Sequence, residues 1–324
     1  MTDPIRNLVF AGGGVRGAAY VGAIQVLEER GHLAGVHRVA GASAGAITAG
    51  LLAAGADAAT FTRLFEEIDF PSFVDDPGWI VGDAIRLVRG YGIHTGDPLS
   101  KWLRDALAEV TRLSLGAPRP EVTLGELAAA ALAGKPVRRL FAVTTNLTHQ
   151  LPEVLCAATT PSLPVWQAMR MSGSFPLVFQ AVEAGGCVYV DGGLSWNYPI
   201  DLFDGDYLRR TRGRPAPEDL GHRTLGFVLG DAAAVSEVEG RVEISDLRGF
   251  AAAFTSFVLN ESTKLHTSRD ALARTVLVDT LGLSAVDFGI TDADERKLVA
   301  NGRAATEAWL DQVPVETSML RGSR

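Results

Sequence analysis

The sequence has little cysteine. Cys156 and Cys187 are the only two, without the paired spacing of a metal site. No disulfide framework is expected, and both thiols are read as reduced and mostly core. Positive charge is also short. Lys and Arg number 30 against 38 Asp and Glu, for a net charge of −8. No basic excess remains to neutralise phosphates, which argues against nucleic acid as a partner. Long hydrophobic runs are missing too. The uncharged stretch from Val39 to Ala56 comes nearest to a membrane span, but Gly, Ala, Ser and Thr dominate it. A buried strand, turn and helix is the better reading. Met1 to Phe10 shows no basic start followed by an apolar signal core, so no secretory leader is expected. The chain is expected in the cytoplasm, with transient contact at membrane surfaces. What remains is an ordinary globular composition, 47% hydrophobic and 21% charged, in a chain of 324 residues that can bury a sizeable core.

The chain is organised around Gly41-Ala42-Ser43-Ala44-Gly45. Small and β-branched residues lead in, and a small-residue helical run, Ala44 to Ala54, leads out. That pattern reads as strand, sharp turn, helix, with Ser43 on the turn. A hydroxyl there projects from the end of a sheet, and the helix start behind it offers unpaired N–H groups. The arrangement suits acyl transfer.

A second glycine loop precedes it. Ile5 to Phe10 reads as a buried first strand, Ala11-Gly12-Gly13-Gly14-Val15-Arg16-Gly17 follows, and Ala18 to Glu29 repeats apolar residues at helical spacing. The loop matches Gly-x-Gly-x-x-Gly through Gly12, Gly14 and Gly17, the dinucleotide fingerprint. That fingerprint also needs an acid at the end of the second strand, and no Asp or Glu occurs from Leu33 to Thr48. A plain tight turn is the bland alternative. A third reading joins the two loops: bare amides of Gly13 and Gly14 face Ser43 and form an oxyanion hole. Arg16 would steady the loop or meet a substrate anion.

Further along, Arg139–Thr145, Cys187–Val190, Thr224–Leu229 and Thr275–Val278 read as strands. Long helices are expected over Pro98–Val110, Leu247–His266 and Asp292–Asp311. Alternation of strands and helices predicts an α/β fold with a parallel sheet. Residues 72–96, rich in Gly, Pro and aromatics, read as a cap over the site. Arg209 to His222 reads as an exposed basic loop and residues 314–324 as a frayed tail. Residues 1–313 are read as one domain.

Serine needs a partner to take its proton. None of the six histidines stands in a distinctive motif, and only one full strand precedes the elbow strand. Asp191, at the carboxyl end of a strand and followed by Gly192-Gly193, is the best-placed acceptor, although a turn aspartate capping its own backbone would look the same.

Taken together, these residues resemble the patatin-like phospholipase family. Gly12 to Gly17 is similar to its oxyanion loop, Gly41 to Gly45 to its nucleophile elbow, Ser172-Gly173-Ser174-Phe175-Pro176 to its Ser-x-x-x-Pro block, and Asp191-Gly192-Gly193 to its Asp-Gly-Gly block. The order matches too. The resemblance implies a three-layer α/β/α sandwich with a mainly parallel central sheet. It also implies a Ser43–Asp191 dyad that hydrolyses lipid acyl esters of the phospholipase A or lysophospholipase kind. The oxyanion would be held by the Gly12–Gly17 loop and Ala44, without metal or cofactor. The competing functions are a nucleotide-binding protein using the Gly12–Gly17 loop and a lipid-binding module without catalysis. Substrate identity, a switching partner and oligomeric state are not written in the sequence.

Overall fold

A computed structural model describes residues 4–74, 92–204, 221–230, 244, 247–265 and 267–312. Residues 75–91 of the expected cap, most of the expected basic loop and the expected tail lie outside the described residues.

Alternation of two core clusters builds the fold. In β1 (Asn7–Phe10), Leu8 and Phe10 pack into one cluster and Val9 into the other, as the two-residue period of a strand requires. β1 is therefore buried on both faces. The first cluster holds α1 (Ala19–Glu29) and α2 (Ala44–Ala54), which cover one side of the sheet. The second is closed by Trp196, Tyr198, Ile200, Leu202 and Phe203 on the other. These are the layers of an α/β/α sandwich.

β1 pairs in parallel with β2 (Arg38–Ala42). α3 (Ala58–Glu66) follows α2 and buries Phe61, Leu64 and Phe65. β3 (Gly92–His94) and α4 (Asp97–Leu115) come next, then α5 (Leu124–Leu132) behind a Thr123–Glu126 capping box. β4 (Arg139–Asn146), β5 (Leu151–Cys156), α6 (Val165–Ser172), β6 (Leu177–Phe179), β7 (Val182–Ala184) and β8 (Cys187–Asp191) complete the middle of the chain. The short α7 (Gly193–Trp196), β9 (Thr224–Leu229), α8 (Leu247–Leu265), α9 (Arg269–Leu272), β10 (Thr275–Val278) and α10 (Asp292–Gln312) finish it.

The main sheet runs β10-β9-β1-β2-β4-β8-β7, with β5 also on β4. The five strands from β10 to β4 are parallel. β5, β8 and β7 add an antiparallel margin. β3 and β6 form a separate small parallel pair.

One feature of this pairing positions the site. β5 takes one edge of β4 at both Val143 and Thr144. On the other edge, β2 ends with Ala42 opposite Val143, and β8 ends with Asp191 opposite Thr144. Two strands thus meet end to end along one edge, and the residue after Ala42 arrives beside Asp191.

Candidate active site

Ser43 sits where β2 turns into α2, with φ 53° and ψ −128°. A non-glycine residue held there stores about 1–3 kcal/mol of strain. The surrounding contacts enforce it. The Ser43 N–H donates to Ser172 Oγ (2.9 Å), while the Ser172 hydroxyl donates to the Val143 carbonyl. The turn also needs its flanking glycines. A Cβ on Gly41 would strike the Gly45 backbone, and one on Gly45 would strike the Phe10 and Ala11 carbonyls.

The Ser172–Pro176 block holds the acid as well. Asp191 N–H donates to the Ser174 carbonyl (2.9 Å), and Gly192 N–H to the Ser172 carbonyl (3.1 Å). The Ser172 hydroxyl steadies the elbow and its carbonyl steadies the acid turn. Arg170 braces the block: its guanidinium donates to Ser174 Oγ, to Thr95 O (3.0 Å) and to Gln180 O (3.1 Å). Burial pushes its pKa down to about 10.

Asp191 is fully buried. Burial pushes its pKa up to about 7, against the opposing pull of the Ser43 hydroxyl and the Gly193 N–H. The Gly193 N–H donates to Oδ1 at 2.7 Å. Oδ2 is buried without a hydrogen-bond partner. The Ser43 hydroxyl lies close enough to favour the carboxylate, with Oδ2 still unpaired.

The glycine loop sorts its amides. Gly12 N–H donates to the Asn197 carbonyl (3.1 Å), Val15 N–H to the Ala285 carbonyl (3.1 Å) and Arg16 N–H to the Gly13 carbonyl (3.2 Å). The N–H groups of Gly13, Gly14 and Ala44 find no protein acceptor among the described residues. Of the broad set Gly12–Gly17 and Ala44, these three remain available to a developing oxyanion. Among the described residues Arg16 meets no counter-ion; it is buried, burial lowers its pKa, and its Nε donates to the Gly13 carbonyl at 3.1 Å. Peptide bonds are planar and trans, so pinning the Gly13 carbonyl turns the Gly14 N–H the opposite way. Arg16 therefore steadies the loop. The same loop does not lead to the acid a dinucleotide site requires, because β2 runs directly into the Ser43 elbow.

Ser43, Gly14, Gly17 and Ala44 line a cavity of about 810 Å³ that includes its open mouth. Its walls are apolar: Phe65, Phe73, Trp102, Phe179, Leu259 and Phe288 among them. Among the described residues, Ser43 and Thr255 supply the only side-chain hydroxyls in the lining, and no histidine lines it. Asp191 is not in the wall; it sits behind Ser43. Cys156 is buried and Cys187 half-buried, both as free thiols.

Sheet, elbow and cavity define an α/β/α protein with a strained serine in the wall of an apolar chamber. The chain belongs to the patatin-like phospholipase family, whose model matches residues 8–204. It is 31% identical to the uncharacterized protein YqhO of Bacillus subtilis over 94% of this chain and 97% of that one. A shorter stretch of 63 residues, 19% of this chain and 22% of the other, is 27% identical to the probable lipid hydrolase 463L of invertebrate iridescent virus 6. Among solved structures, VipD from Legionella pneumophila shares the fold, with a TM-score of 0.61 at 22% identity over 95% of this chain and 67% of that one. Membership of the family supports lipid ester hydrolysis as the activity. Among the described residues, no helix is long and apolar enough to cross a membrane.

Two contributors carry no catalytic signal of their own in the sequence. Asn197, which clamps the loop backbone, stands in no motif. Ser172 was visible only through the Ser-x-x-x-Pro resemblance, which does not say which atoms it holds.

Proposed function

We propose that this protein is a serine acyl hydrolase of phospholipase A or lysophospholipase type, acting through a Ser43–Asp191 dyad. The observation that supports this reading is Ser43 beside Gly14 in the wall of an apolar cavity, with the buried Asp191 within reach of the Ser43 hydroxyl and the Gly13 and Gly14 amides without a protein acceptor among the described residues. Asp191 accepts the Ser43 proton as Oγ attacks an ester carbonyl. The amides of Gly13, Gly14 and Ala44 hold the oxyanion. Collapse breaks the ester bond, and the leaving alcohol takes the proton from Asp191. Water then attacks the acyl-enzyme, gives its proton to Asp191, and the fatty acid leaves as Ser43 is regenerated. The chamber takes the acyl chain, since apolar walls of this size suit a ligand with one polar end. The domain carrying this chemistry is read as residues 1–313.

The decisive experiment incubates wild type and Ser43→Ala with phospholipids, lysophospholipids, glycerides and p-nitrophenyl esters, and measures released product. Turnover by wild type alone is expected. Equal rates would end the proposal, and lipid binding without any product would favour the non-catalytic module.

Lipid presented in a membrane is the substrate form the surface fits. Phe250, Phe254 and Phe257 are 53%, 46% and 65% exposed and recur at helical spacing on α8. Thr255 and Leu259 of the same helix line the cavity. An exposed aromatic stripe beside an acyl chamber is placed to enter the headgroup boundary. A double Phe254→Asp, Phe257→Asp variant is expected to lose liposome affinity by about 10²-fold, given about 1.5–3 kcal/mol for burying each ring. Turnover of a soluble short-chain p-nitrophenyl ester should stay within about twofold of wild type. Undiminished co-sedimentation with liposomes would remove α8 from the docking surface.

A further inference from the structure

Asn197 has more ties to the site than any simple turn residue needs. Its carbonyl accepts from the Gly12 N–H (3.1 Å), and its Nδ2 donates back to the Gly12 carbonyl (3.4 Å). Both hydrogen-bonding groups of Gly12 are therefore taken by one residue. Nδ2 also donates to Thr263 Oγ1 (2.9 Å), whose own hydroxyl donates to the Leu259 carbonyl (2.8 Å). That proton order fixes which end of the amide faces α8, because the Thr263 hydroxyl has already spent its hydrogen. The Asn197 N–H donates to Ser262 Oγ (2.9 Å), a second bond to α8.

The amide oxygen is as informative. Oδ1 is buried without a partner. It lies against the α-carbons of Gly12 and Gly193, where a Cβ at either position would run into it. One glycine belongs to the oxyanion loop and the other to the acid turn. The fold thus leaves two side chains out and accepts an unsatisfied polar atom, a cost of about 1–3 kcal/mol, to seat this amide between them.

Peptide planarity supplies the consequence. The Gly12 carbonyl and the Gly13 N–H belong to one trans peptide and point in opposite directions. Holding the carbonyl toward Asn197 turns the Gly13 N–H away from it, as Arg16 does for Gly14 through the Gly13 carbonyl. We infer that Asn197 is a positioning residue that orients the Gly13 amide for the oxyanion and locks the oxyanion loop to the acid turn and to α8. This rests on the acyl-hydrolase reading. It predicts that Asn197 acts on the transition state and not on substrate binding, since the cavity lining does not include it.

The test uses Asn197→Ala and the milder Thr263→Val, which keeps the shape of the side chain and removes the acceptor for Nδ2. With a soluble p-nitrophenyl ester, Asn197→Ala should lower kcat by about 10²-fold, the effect of losing or misplacing one oxyanion donor, with KM within about twofold. Thr263→Val should lower kcat by about 10-fold. The double variant should fall no further than Asn197→Ala alone, because Thr263 acts through Asn197. A kcat unchanged in Asn197→Ala, or a loss expressed only in KM, overturns the inference. Hydrogen–deuterium exchange over residues 11–17 gives a readout independent of turnover. Exchange should quicken by about 10-fold or more in Asn197→Ala while a distant segment such as β10 stays protected. Unchanged loop exchange overturns the inference even if wild type hydrolyses no ester, whereas an inactive wild type with quickened loop exchange overturns only the hydrolase reading.

Discussion

Ser43→Ala is expected to lower ester turnover by about 10⁴-fold or more, as loss of a nucleophile does in other serine enzymes. Ser43→Gly should lower it as far, yet the two variants should part in stability. Alanine keeps a Cβ at φ 53°, ψ −128°, so the strain of the elbow stays. Glycine adopts that conformation without the clash. After glycine's extra unfolded-state entropy, a net gain of about 1 kcal/mol over Ser43→Ala is expected in urea denaturation. Equal stability of the two would mean that the elbow is relaxed. Retained turnover in either would mean that another group attacks the ester.

Asp191→Asn carries the second large effect, and it runs in opposite directions for rate and stability. The base must be ionised to accept the Ser43 proton. With its pKa pushed up to about 7 by burial, the acid limb of kcat/KM should have its midpoint near pH 7, and the amide should cost about 10³-fold or more above it. Stability follows the same shift with its own sign. Between about pH 4 and pH 7, the folded chain holds a proton that the unfolded chain has released. Stability therefore falls as pH rises through that window and levels off above it. At 1.36 kcal/mol per unit the loss approaches about 4 kcal/mol. Asparagine has the same shape, can still accept the Gly193 N–H, and carries no ionisation cost. Asp191→Asn should thus be more stable than wild type by up to about 4 kcal/mol at pH 8, with the difference gone near pH 4. Denaturation curves at both pH values check this. A gap that does not change with pH would show that burial is not what raises the Asp191 pKa.

Local pattern made much of this legible. Thr224–Leu229, Thr275–Val278 and Ala44–Ala54 form the elements expected, because a run of β-branched or small apolar residues decides its own conformation once both faces are buried. The parallel core followed from strand–helix alternation. The antiparallel margin did not, since the direction in which β5, β7 and β8 pair is set between segments and not by the pattern within each, and β7 is only three residues long. The Ser43 elbow and Asp191 were visible as strand-end residues beside glycines. Their closeness was not, because it depends on β2 and β8 sharing an edge of β4, a pairing between distant segments. Which N–H groups of the Gly12–Gly17 loop stay without a protein acceptor depends likewise on which carbonyls arrive from Asn197 and Ala285. A cap over the site is expected from residues 72–96, of which Phe73 is in the described wall. Most of that wall comes from elsewhere, including Trp102, Phe179 and Phe288.

The shared edge of β4 has a consequence for how such a molecule can change. Alcohol and acid are separated by a single step along one ribbon, however long or varied the polypeptide that connects them. Segments inserted or exchanged between the elbow and the acid can remodel the walls of the chamber, and with them what fits inside, without moving Ser43 away from Asp191. The vulnerable place is the ribbon itself. One residue added between Val143 and Thr144 would move the carboxylate by a full step and turn neighbouring side chains to the opposite face.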